Sequence, residues 1–238
     1  MTTTVGQVVE LFRYPIKSIG GERLTSAEIN RRGLVGDRFW AVEDEEGKFG
    51  SGKTTRRFRR MEGLLEFRAF LRDGPDVPML ALPDGAEVLA TSPEATAALR
   101  ERTGQQVAVT AEREVSHFDE GALHLLTTSA LGRLAQVHGA PVDVRRLRNN
   151  ITLDTSPAQG HLEEEWVGRH LALGEELIVE IAYLMPRCVM VNMAQHDLPE
   201  DNRVLKSISE INPDVCLGAF AQVVQPGIVR LGDTARLV

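Results

Sequence analysis

A thiol beside a guanidinium is the feature of this sequence with the clearest capacity for chemistry. Cys188 follows Arg187 directly, in Pro186-Arg-Cys188. An adjacent positive charge favours the thiolate, which is the form that binds soft transition metals or attacks sulfur. The alternative is a buried structural thiol, the commonest state of a free cysteine. Cys188 is therefore a candidate catalytic residue and a candidate metal ligand.

Cations and amides that suit a bound anion are spread along the rest of the chain. The planar fork of arginine matches phosphate oxygens, lysine supplies a point charge, and serine and asparagine add hydrogen bonds that orient a polar ring. A phosphorylated cofactor would satisfy all of these groups. The candidate cofactor-binding residues are Lys17, Ser18, Arg38, Arg148, Asn150 and Arg187. Taken singly, each charged member is equally consistent with a surface residue.

Composition narrows the class of protein. The 238 residues, 42% of them hydrophobic, are enough for one large domain or two small ones. The formal charge of −7 argues against nucleic-acid binding, which needs a positive face. Two cysteines provide neither a disulfide framework nor the ligands of an iron–sulfur cluster. Without a bilayer-length apolar run or a signal-like start, we expect a cytoplasmic protein with no membrane partner.

A glycine-rich motif, Gly47-Lys-Phe-Gly-Ser-Gly-Lys-Thr54, matches the phosphate-binding P-loop pattern. A P-loop nucleoside triphosphatase would place Lys53 and Thr54 at the terminal phosphates and magnesium. Its loop must join a buried strand to a helix N-terminus. Here the acidic run 43–46 precedes the motif, and no apolar strand ending in a magnesium-binding aspartate follows. We interpret the segment as a β-hairpin, with nucleotide hydrolysis as a rival hypothesis.

Alternating and branched apolar residues predict a fold that is mainly β, with a few short α-helices, α+β overall. Pro, Gly and Asp are frequent from 71 to 90, and 115–121 is polar, so we predict two domains, 1–113 and 114–238. The predicted strands are 6–14, 37–42, 177–184, 219–224 and 227–238. We expect the first two to be neighbours and the last two to form a hairpin. The predicted helices are 93–103 and 129–138, with a further helical turn at 205–210.

Six short motifs occur in an order that resembles the MOSC family, the molybdenum cofactor sulfurase C-terminal domain family. They are Arg13-Tyr-Pro-Ile-Lys-Ser18, Gly33-Leu-Val-Gly-Asp-Arg-Phe-Trp40, Arg146-Leu-Arg-Asn-Asn-Ile151, Trp166-Val-Gly-Arg169, Pro186-Arg-Cys188 and Pro226-Gly-Ile-Val-Arg-Leu-Gly-Asp233. The first two are similar to the family's N-terminal β-barrel region and the others to the MOSC domain. The resemblance covers the chain from about Val5 to Val238.

The resemblance implies a β-barrel protein in which residues 1–113 and 114–238 form one cleft around a molybdenum cofactor, molybdopterin. Cys188 takes the place of the cysteine that ligates molybdenum in the reductase branch of the family. The residues that would hold the pterin and its phosphate are Lys17, Ser18, Arg38, Arg148 and Asn150. These positions agree with the set of donors chosen from side-chain chemistry.

The sequence departs from the family pattern in two places. Asn149 replaces a usual proline, and 189–194 replaces a Thr-Thr-x-Asp type of stretch that would bring hydroxyls and a carboxylate near the metal. His196 lies just beyond and is a candidate substitute proton donor, with a solvated loop histidine as the alternative.

The resemblance therefore implies an oxidoreductase that reduces N-hydroxylated or N-oxygenated small molecules, with electrons supplied by a separate electron-transfer protein. The basic run Arg56-Arg-Phe-Arg-Arg60 is either a docking site for an acidic carrier or a solvated face. The alternative function is a sulfur carrier or cofactor-binding module with a persulfide on Cys188.

Overall fold

The computed structural model describes residues 2–72 and 77–238. Positions 73–76, in the Pro- and Gly-rich segment noted above, lie outside the described residues. Strands account for most of the regular structure and short helices for the rest. The expectation of a mainly β fold with a few short α-helices is confirmed.

The strands differ widely in length, from two residues to eleven. They are β1 (Thr3–Arg13), β2 (Ile16–Lys17), β3 (Glu22–Leu24), β4 (Ser26–Asn30), β5 (Gly33–Leu34), β6 (Trp40–Asp44), β7 (Phe49–Ser51), β8 (Phe58–Arg60), β9 (Arg68–Phe70), β10 (Met79–Ala81), β11 (Glu87–Leu89), β12 (Val107–Ala111), β13 (Leu123–Thr127), β14 (Ile151–Asp154), β15 (His170–Leu173), β16 (Leu177–Pro186), β17 (Cys216–Gln225), β18 (Gly227–Arg230) and β19 (Thr234–Leu237).

The α-helices are short, and α1 and α2 have side-chain N-caps. They are α1 (Pro93–Thr103), α2 (Thr128–His138), α3 (Leu162–Glu165) and α4 (Val204–Ile211), with single 3₁₀ turns at Leu64–Glu66, Val144–Leu147 and Val189–Val191. At α1, the Ser92 side chain accepts from Ala95 N and Gly104 ends the helix in the left-handed conformation. None of the helices in the described part is long and apolar enough to cross a membrane.

Seven strands close into a barrel in the order β14-β13-β17-β16-β15-β19-β1, with β1 returning to pair with β14. Closure gives each of these strands a partner on both sides and removes the free sheet edge. Ile151 of β14 lies at the seam, opposite Leu125 of β13 in parallel register and Leu11 of β1 in antiparallel register. All three side chains are buried in the barrel core.

A second layer is built from the first half of the chain. Its main sheet has the order β12-β6-β7-β8, with β2 running parallel to β6. Helix α1 packs on this layer and contributes Leu99 to a separate core with Ile16, Met61 and Phe67. The parallel β2–β6 pair carries Lys17 to the side of the sheet that faces the barrel.

Two of the predicted strand pairings are wrong. Residues 219–224 and 227–238 do not form a hairpin, because β17 pairs with β13 and β16, β18 with β4, and β19 with β1 and β15. The predicted neighbours 6–14 and 37–42 lie in different sheets, since β1 is needed to close the barrel. The division into domains at residue 113 stays a prediction, and the barrel takes strands from both sides of that position.

Replacing Ile151 by alanine is expected to lower the free energy of unfolding by about 2–5 kcal/mol, because it leaves a cavity at the barrel seam. Val224→Ala, at a side chain that is 40% exposed, is expected to change it by less than about 0.5 kcal/mol. Urea denaturation followed by circular dichroism measures both. Equal losses in the two variants would contradict the placement of Ile151 at the seam.

Candidate active site

One cavity of about 100 Å³ lies between the barrel and the second layer. The cofactor-binding and metal-ligand candidates from the sequence all line it: Lys17, Ser18, Arg38, Arg148, Asn150, Arg187 and Cys188. They come from four separate segments of the chain. The structure therefore brings the predicted residues together, while their individual roles stay predictions.

Lys17 and Ser18 reach the cavity from the end of β2. Ser18 has a φ of 62°, and its hydroxyl donates to the carbonyl oxygen of Gly50 at 2.8 Å. The Lys17 side chain is only 5% exposed, and its Nζ lies 2.5 Å from Asp119 Oδ1. Burial lowers the pKa of Lys17 to about 8, although the Asp119 carboxylate opposes the shift.

Asp37 organises the neighbouring cation. Its fully buried carboxylate accepts from Tyr14 N at 2.7 Å and pairs with Arg38 Nη1. Arg38 itself has a φ of 49°, and its Nη2 donates to the carbonyl oxygen of Arg148 at 2.8 Å. The guanidinium is thus fixed at the cavity wall by a charged partner and a backbone acceptor.

Arg148 is the cation with unused donors. Its Cζ lies 4.4 Å from the centroid of the Tyr14 ring, and Arg38 Cζ lies 4.9 Å from the same ring. Its Nη1 and Nη2 are buried and have no hydrogen-bond partner in the described part of the chain. Burial and the charge of Arg38 lower the pKa of Arg148 to about 10, so it stays charged at neutral pH. A buried charged donor without an acceptor is costly, and a bound anion would remove the cost.

Arg187 and Cys188 close the barrel side of the cavity. Arg187 donates to Leu217 O at 2.8 Å and Leu147 O at 2.7 Å, and its Nη2 lies 2.6 Å from His124 Nε2. Burial lowers the pKa of Arg187 to about 9. Among the hydrogen bonds of the described residues, none joins Arg187 to the Cys188 thiol. Cys188 is a partly exposed free cysteine at the N-terminal end of the 3₁₀ turn Val189–Val191.

His124 is a cavity residue that sequence reasoning did not select. Arginine can only donate, so Nε2 must accept from Arg187 and the imidazole is neutral. Burial, followed by the charge of Arg187, lowers the pKa of His124 well below its ordinary value. The backbone N–H of His124 donates to Asn150 Oδ1 at 3.1 Å, and Asn150 Nδ2 donates to Phe12 O. Asn150 therefore ties β13 and β1 together at the cavity.

The loop between β12 and β13, residues 112–122, covers one side of the cavity. Phe118, Asp119, Glu120 and Gly121 line the cavity. The Arg57 guanidinium donates to Phe118 O at 3.0 Å and also to Ser116 O. Sequence reasoning treated this polar stretch only as a break between domains. Its acidic pair, Asp119 and Glu120, is the sequence feature from which a contact with Lys17 could have been predicted.

An apolar wall stands beside Cys188, formed by Met185, Met190 and Phe220. Met190 belongs to the 189–194 stretch that departs from the family pattern. A Cβ on Gly52 would lie 2.8 Å from Met190 Cγ and 3.0 Å from Met193 Sδ. The glycine therefore allows the second layer to approach the turn that follows Cys188.

The P-loop interpretation of 47–54 is wrong. Gly47, with a φ of 75°, turns the chain from β6 into β7, which pair in antiparallel fashion. The residues after Thr54 lead into β8 and not into a helix, so no helix N-terminus is available for a phosphate. The interpretation of this segment as a glycine-rich β-hairpin is confirmed.

The basic run 56–60 presents less free charge than its sequence suggests. Arg59 pairs with Asp44 and Glu46, Arg60 pairs with Glu62, and Arg57 faces the 112–122 loop. The candidate proton donor His196 does not line the cavity at Cys188.

Backbone strain is concentrated at this cavity. Non-glycine residues with positive φ in the described ranges are Ser18, Arg38, Arg148, His196 and Val215. Three of these five line the cavity. A left-handed conformation outside glycine costs about 1–3 kcal/mol in such settings, and it persists where the surroundings enforce it for function.

Comparison with known proteins agrees with the fold. The MOSC N-terminal beta barrel domain matches residues 5–127, and the MOSC domain matches residues 112–236. The chain belongs to the MOSC family. Over 83 residues it is 32% identical to mitochondrial amidoxime reducing component 2 of Homo sapiens, a stretch that covers 33% of this chain and 25% of that protein. The match thus spans a quarter of that relative's length.

A solved structure shares the fold at low sequence identity. The YUAD protein from Bacillus subtilis superposes with a TM-score of 0.51 and 13% identity, covering 100% of this chain and 96% of that one. YiiM from Geobacillus stearothermophilus gives a TM-score of 0.38 and 19% identity over 50% of this chain and 54% of that one.

Removing the Asp37 carboxylate is expected to lower the free energy of unfolding by about 3–5 kcal/mol, because Arg38 would lose its buried counter-charge. We would measure Asp37→Ala by guanidinium denaturation. Glu46→Ala, at an exposed ion pair, serves as the matched control and should leave the midpoint nearly unchanged. A loss no larger than that of the control would contradict the structural role of Asp37.

Sulfate, used as a stand-in for a phosphate group, is expected to bind the cavity less tightly as pH rises through the Lys17 pKa of about 8. Lys17 attracts the anion only in its protonated form, so its contribution to affinity is present below that pH and lost above it. The affinity is expected to fall by about tenfold, which corresponds to about 1.4 kcal/mol. Calorimetric titration at a series of pH values measures the decline.

Lys17→Arg is the matched variant, because its guanidinium stays charged across that range. It should bind sulfate with little dependence on pH near 8. The same decline in both proteins would show that another group controls anion binding.

Proposed function

We propose that this protein is an oxidoreductase that binds a molybdenum cofactor through Cys188 and reduces N-oxygenated small molecules. The observation that carries the proposal is the meeting of Cys188 with Lys17, Arg38 and Arg148 in one cavity. Two buried nitrogens of Arg148 have no partner there among the residues that the structure describes. Membership of the MOSC family supports it. The similarity to a protein named for amidoxime reduction supports the reaction type.

The residues present fit a phosphorylated, metal-bearing cofactor. A thiolate is a soft ligand suited to molybdenum, and Lys17, Arg38 and Arg148 supply charged donors for a phosphate. When bound, the cofactor would supply the two-electron redox centre. The chain would contribute the thiolate of Cys188 and the positive charges of Lys17, Arg38 and Arg148. It would also contribute a backbone held in strained conformations. It also contributes the neutral imidazole of His124, which keeps Arg187 fixed behind Cys188.

The 112–122 loop must move for a cofactor to enter. The enclosed volume of about 100 Å³ is below the roughly 300–1,000 Å³ typical of sites for small organic ligands. Asp119 also occupies the acceptor position on Lys17 that a phosphate oxygen would take. We infer that Asp119 gives way to the phosphate, because a dianion makes the stronger contact with this group of cations.

The substrate side of the cavity is apolar. Met185, Met190 and Phe220 form a wall beside Cys188 that favours the uncharged body of a small organic molecule over an ionic one. Reduction of an N–O bond releases the oxygen as water and consumes two electrons and two protons. The two cysteines cannot hold an iron–sulfur cluster, so we propose that a separate electron-transfer protein delivers the electrons.

Metal analysis of protein made in a host that synthesises the cofactor tests the proposal. Wild type is expected to contain close to one molybdenum per chain, and Cys188→Ser is expected to lose it, because a hydroxyl is a poor soft ligand. Cys216→Ser is the matched control, since Cys216 does not line the cavity, and it should retain molybdenum.

Two outcomes would contradict this function. Molybdenum retained in Cys188→Ser would remove the ligand assignment. Absence of molybdenum from wild type, together with an added sulfur atom on Cys188 by mass spectrometry, would favour a sulfur carrier that bears a persulfide.

A further inference from the structure

A second, smaller cavity of about 40 Å³ lies behind the first, between the two layers of the protein. We call it the rear cavity; Arg148 lines both this cavity and the one at Cys188. Its polar lining consists of Tyr14, Arg68, Arg145, Arg148, Gln195 and His196. No carboxylate of the described chain lines it. The family comparison and the proposed function assign nothing to this place.

Several buried donors in the rear cavity have no partner. The hydroxyl of Tyr14 and Nε2 of Gln195 are unsatisfied within the described residues, as are Nη1 and Nη2 of Arg148. Tyr14 is 2% exposed and Gln195 is 7% exposed, so solvent does not satisfy them. Buried polar atoms are nearly always hydrogen-bonded, and a group of unpartnered donors around one space points to a missing acceptor.

Charge in the rear cavity favours an anion. Asp143 and Asp197 neutralise Arg145. The distances from Arg145 Nη2 to Asp143 Oδ2 and from Arg145 Nη1 to Asp197 Oδ1 are both 2.7 Å. Arg148 has no such carboxylate partner among the described residues, and Tyr14 is held by π contact with its guanidinium at 4.4 Å. Arg68 adds an exposed positive charge at the mouth. The net positive charge therefore rests mainly on Arg148.

A single water molecule satisfies this lining less well than an anion. A water molecule that accepts from Arg148 and Gln195 has two hydrogens left to donate, and among the unpartnered groups around it only the Tyr14 hydroxyl oxygen can accept one. An anion accepts from every side and donates nothing. The volume of about 40 Å³ holds little more than one water-sized particle. The apolar wall of Phe12, Leu65 and Leu198 disfavours a larger, multiply charged ion.

We propose that the rear cavity is a binding site for a small monovalent anion of halide size, held by Arg148, Gln195 and Tyr14. The bound anion compensates the buried charge of Arg148 from the side opposite the Cys188 cavity. It also fixes the turn 195–198, whose His196 adopts a φ of 43° and donates its backbone N–H to Leu65 O at 2.9 Å. The site shares Arg148 with the cofactor cavity, and it is tested in cofactor-free protein.

Crystals of cofactor-free protein grown in sodium bromide provide the direct test. The anomalous signal of bromide is expected as one peak in the rear cavity, within hydrogen-bond distance of Arg148 and Gln195. Ordered water in the cavity with bromide only on the surface, an adventitious ion only, would overturn the proposal.

Thermal unfolding of cofactor-free protein in chloride and in gluconate at equal ionic strength gives a second readout. A ligand that binds only the folded state raises Tm, so chloride should raise it by a few degrees. Gln195→Leu and Tyr14→Phe should each reduce this chloride-specific shift, and Gln136→Leu, at an exposed position on α2, should keep it.

The difference in Tm between chloride and gluconate is measured within each protein. The test therefore remains valid for a variant that is less stable overall. An equal chloride shift in wild type, Gln195→Leu and Tyr14→Phe would show that the ion binds elsewhere. Both readouts use cofactor-free protein, so failure here and failure of the proposed function are separable.

Discussion

The geometry of the cavity depends on one buried carboxylate. Asp37 has no exposed surface, and it holds both the backbone of Tyr14 and the guanidinium of Arg38. Tyr14 in turn lies against Arg38 and Arg148. A single negative charge thus places an aromatic ring against two cations that would otherwise repel each other. Without this carboxylate, the repulsion between the two guanidinium groups in a site shielded from water would not be compensated.

The cavity stores free energy that folding alone does not require. Three of its residues adopt left-handed backbone conformations, and two buried nitrogens of Arg148 have no acceptor within residues 2–72 and 77–238. Both features destabilise the folded chain when no ligand is present. The barrel can tolerate this because its seven strands are all paired on both sides and enclose a continuous apolar core. A stable fold and a strained ligand site are therefore built from different parts of the same molecule.

Local sequence signals predicted much of the fold. Helix α1 begins and ends where its Ser92 cap, Pro93 and Gly104 indicate. The strand predicted at 177–184 from its apolar residues is confirmed within β16, whose inward-facing side chains are buried in the barrel. Pairing was predicted less well. The partner of β1 or β19 is decided by barrel closure, which depends on contacts between opposite ends of the chain, and no short window of sequence contains that information.

The candidate site shows the same limit. Its cations and its cysteine were identifiable from side-chain chemistry and from motifs, but His124, Asp119 and the rear cavity were not. His124 was indistinguishable from an ordinary core histidine, because only the contact with Arg187 gives it a fixed tautomer. Asp119 lay in a polar loop, where a carboxylate is usually solvated. The rear cavity exists only because Arg148 and Gln195 meet in three dimensions.

The pairing of β19 has a consequence for folding. Residues Thr234–Leu237 form β19, which fits between β1 and β15 and completes the ring. The pairing of β1 with β19 joins segments that are far apart in the sequence, and contacts of this kind form slowly. A ligand that requires the closed barrel therefore binds only after this long-range pairing has formed.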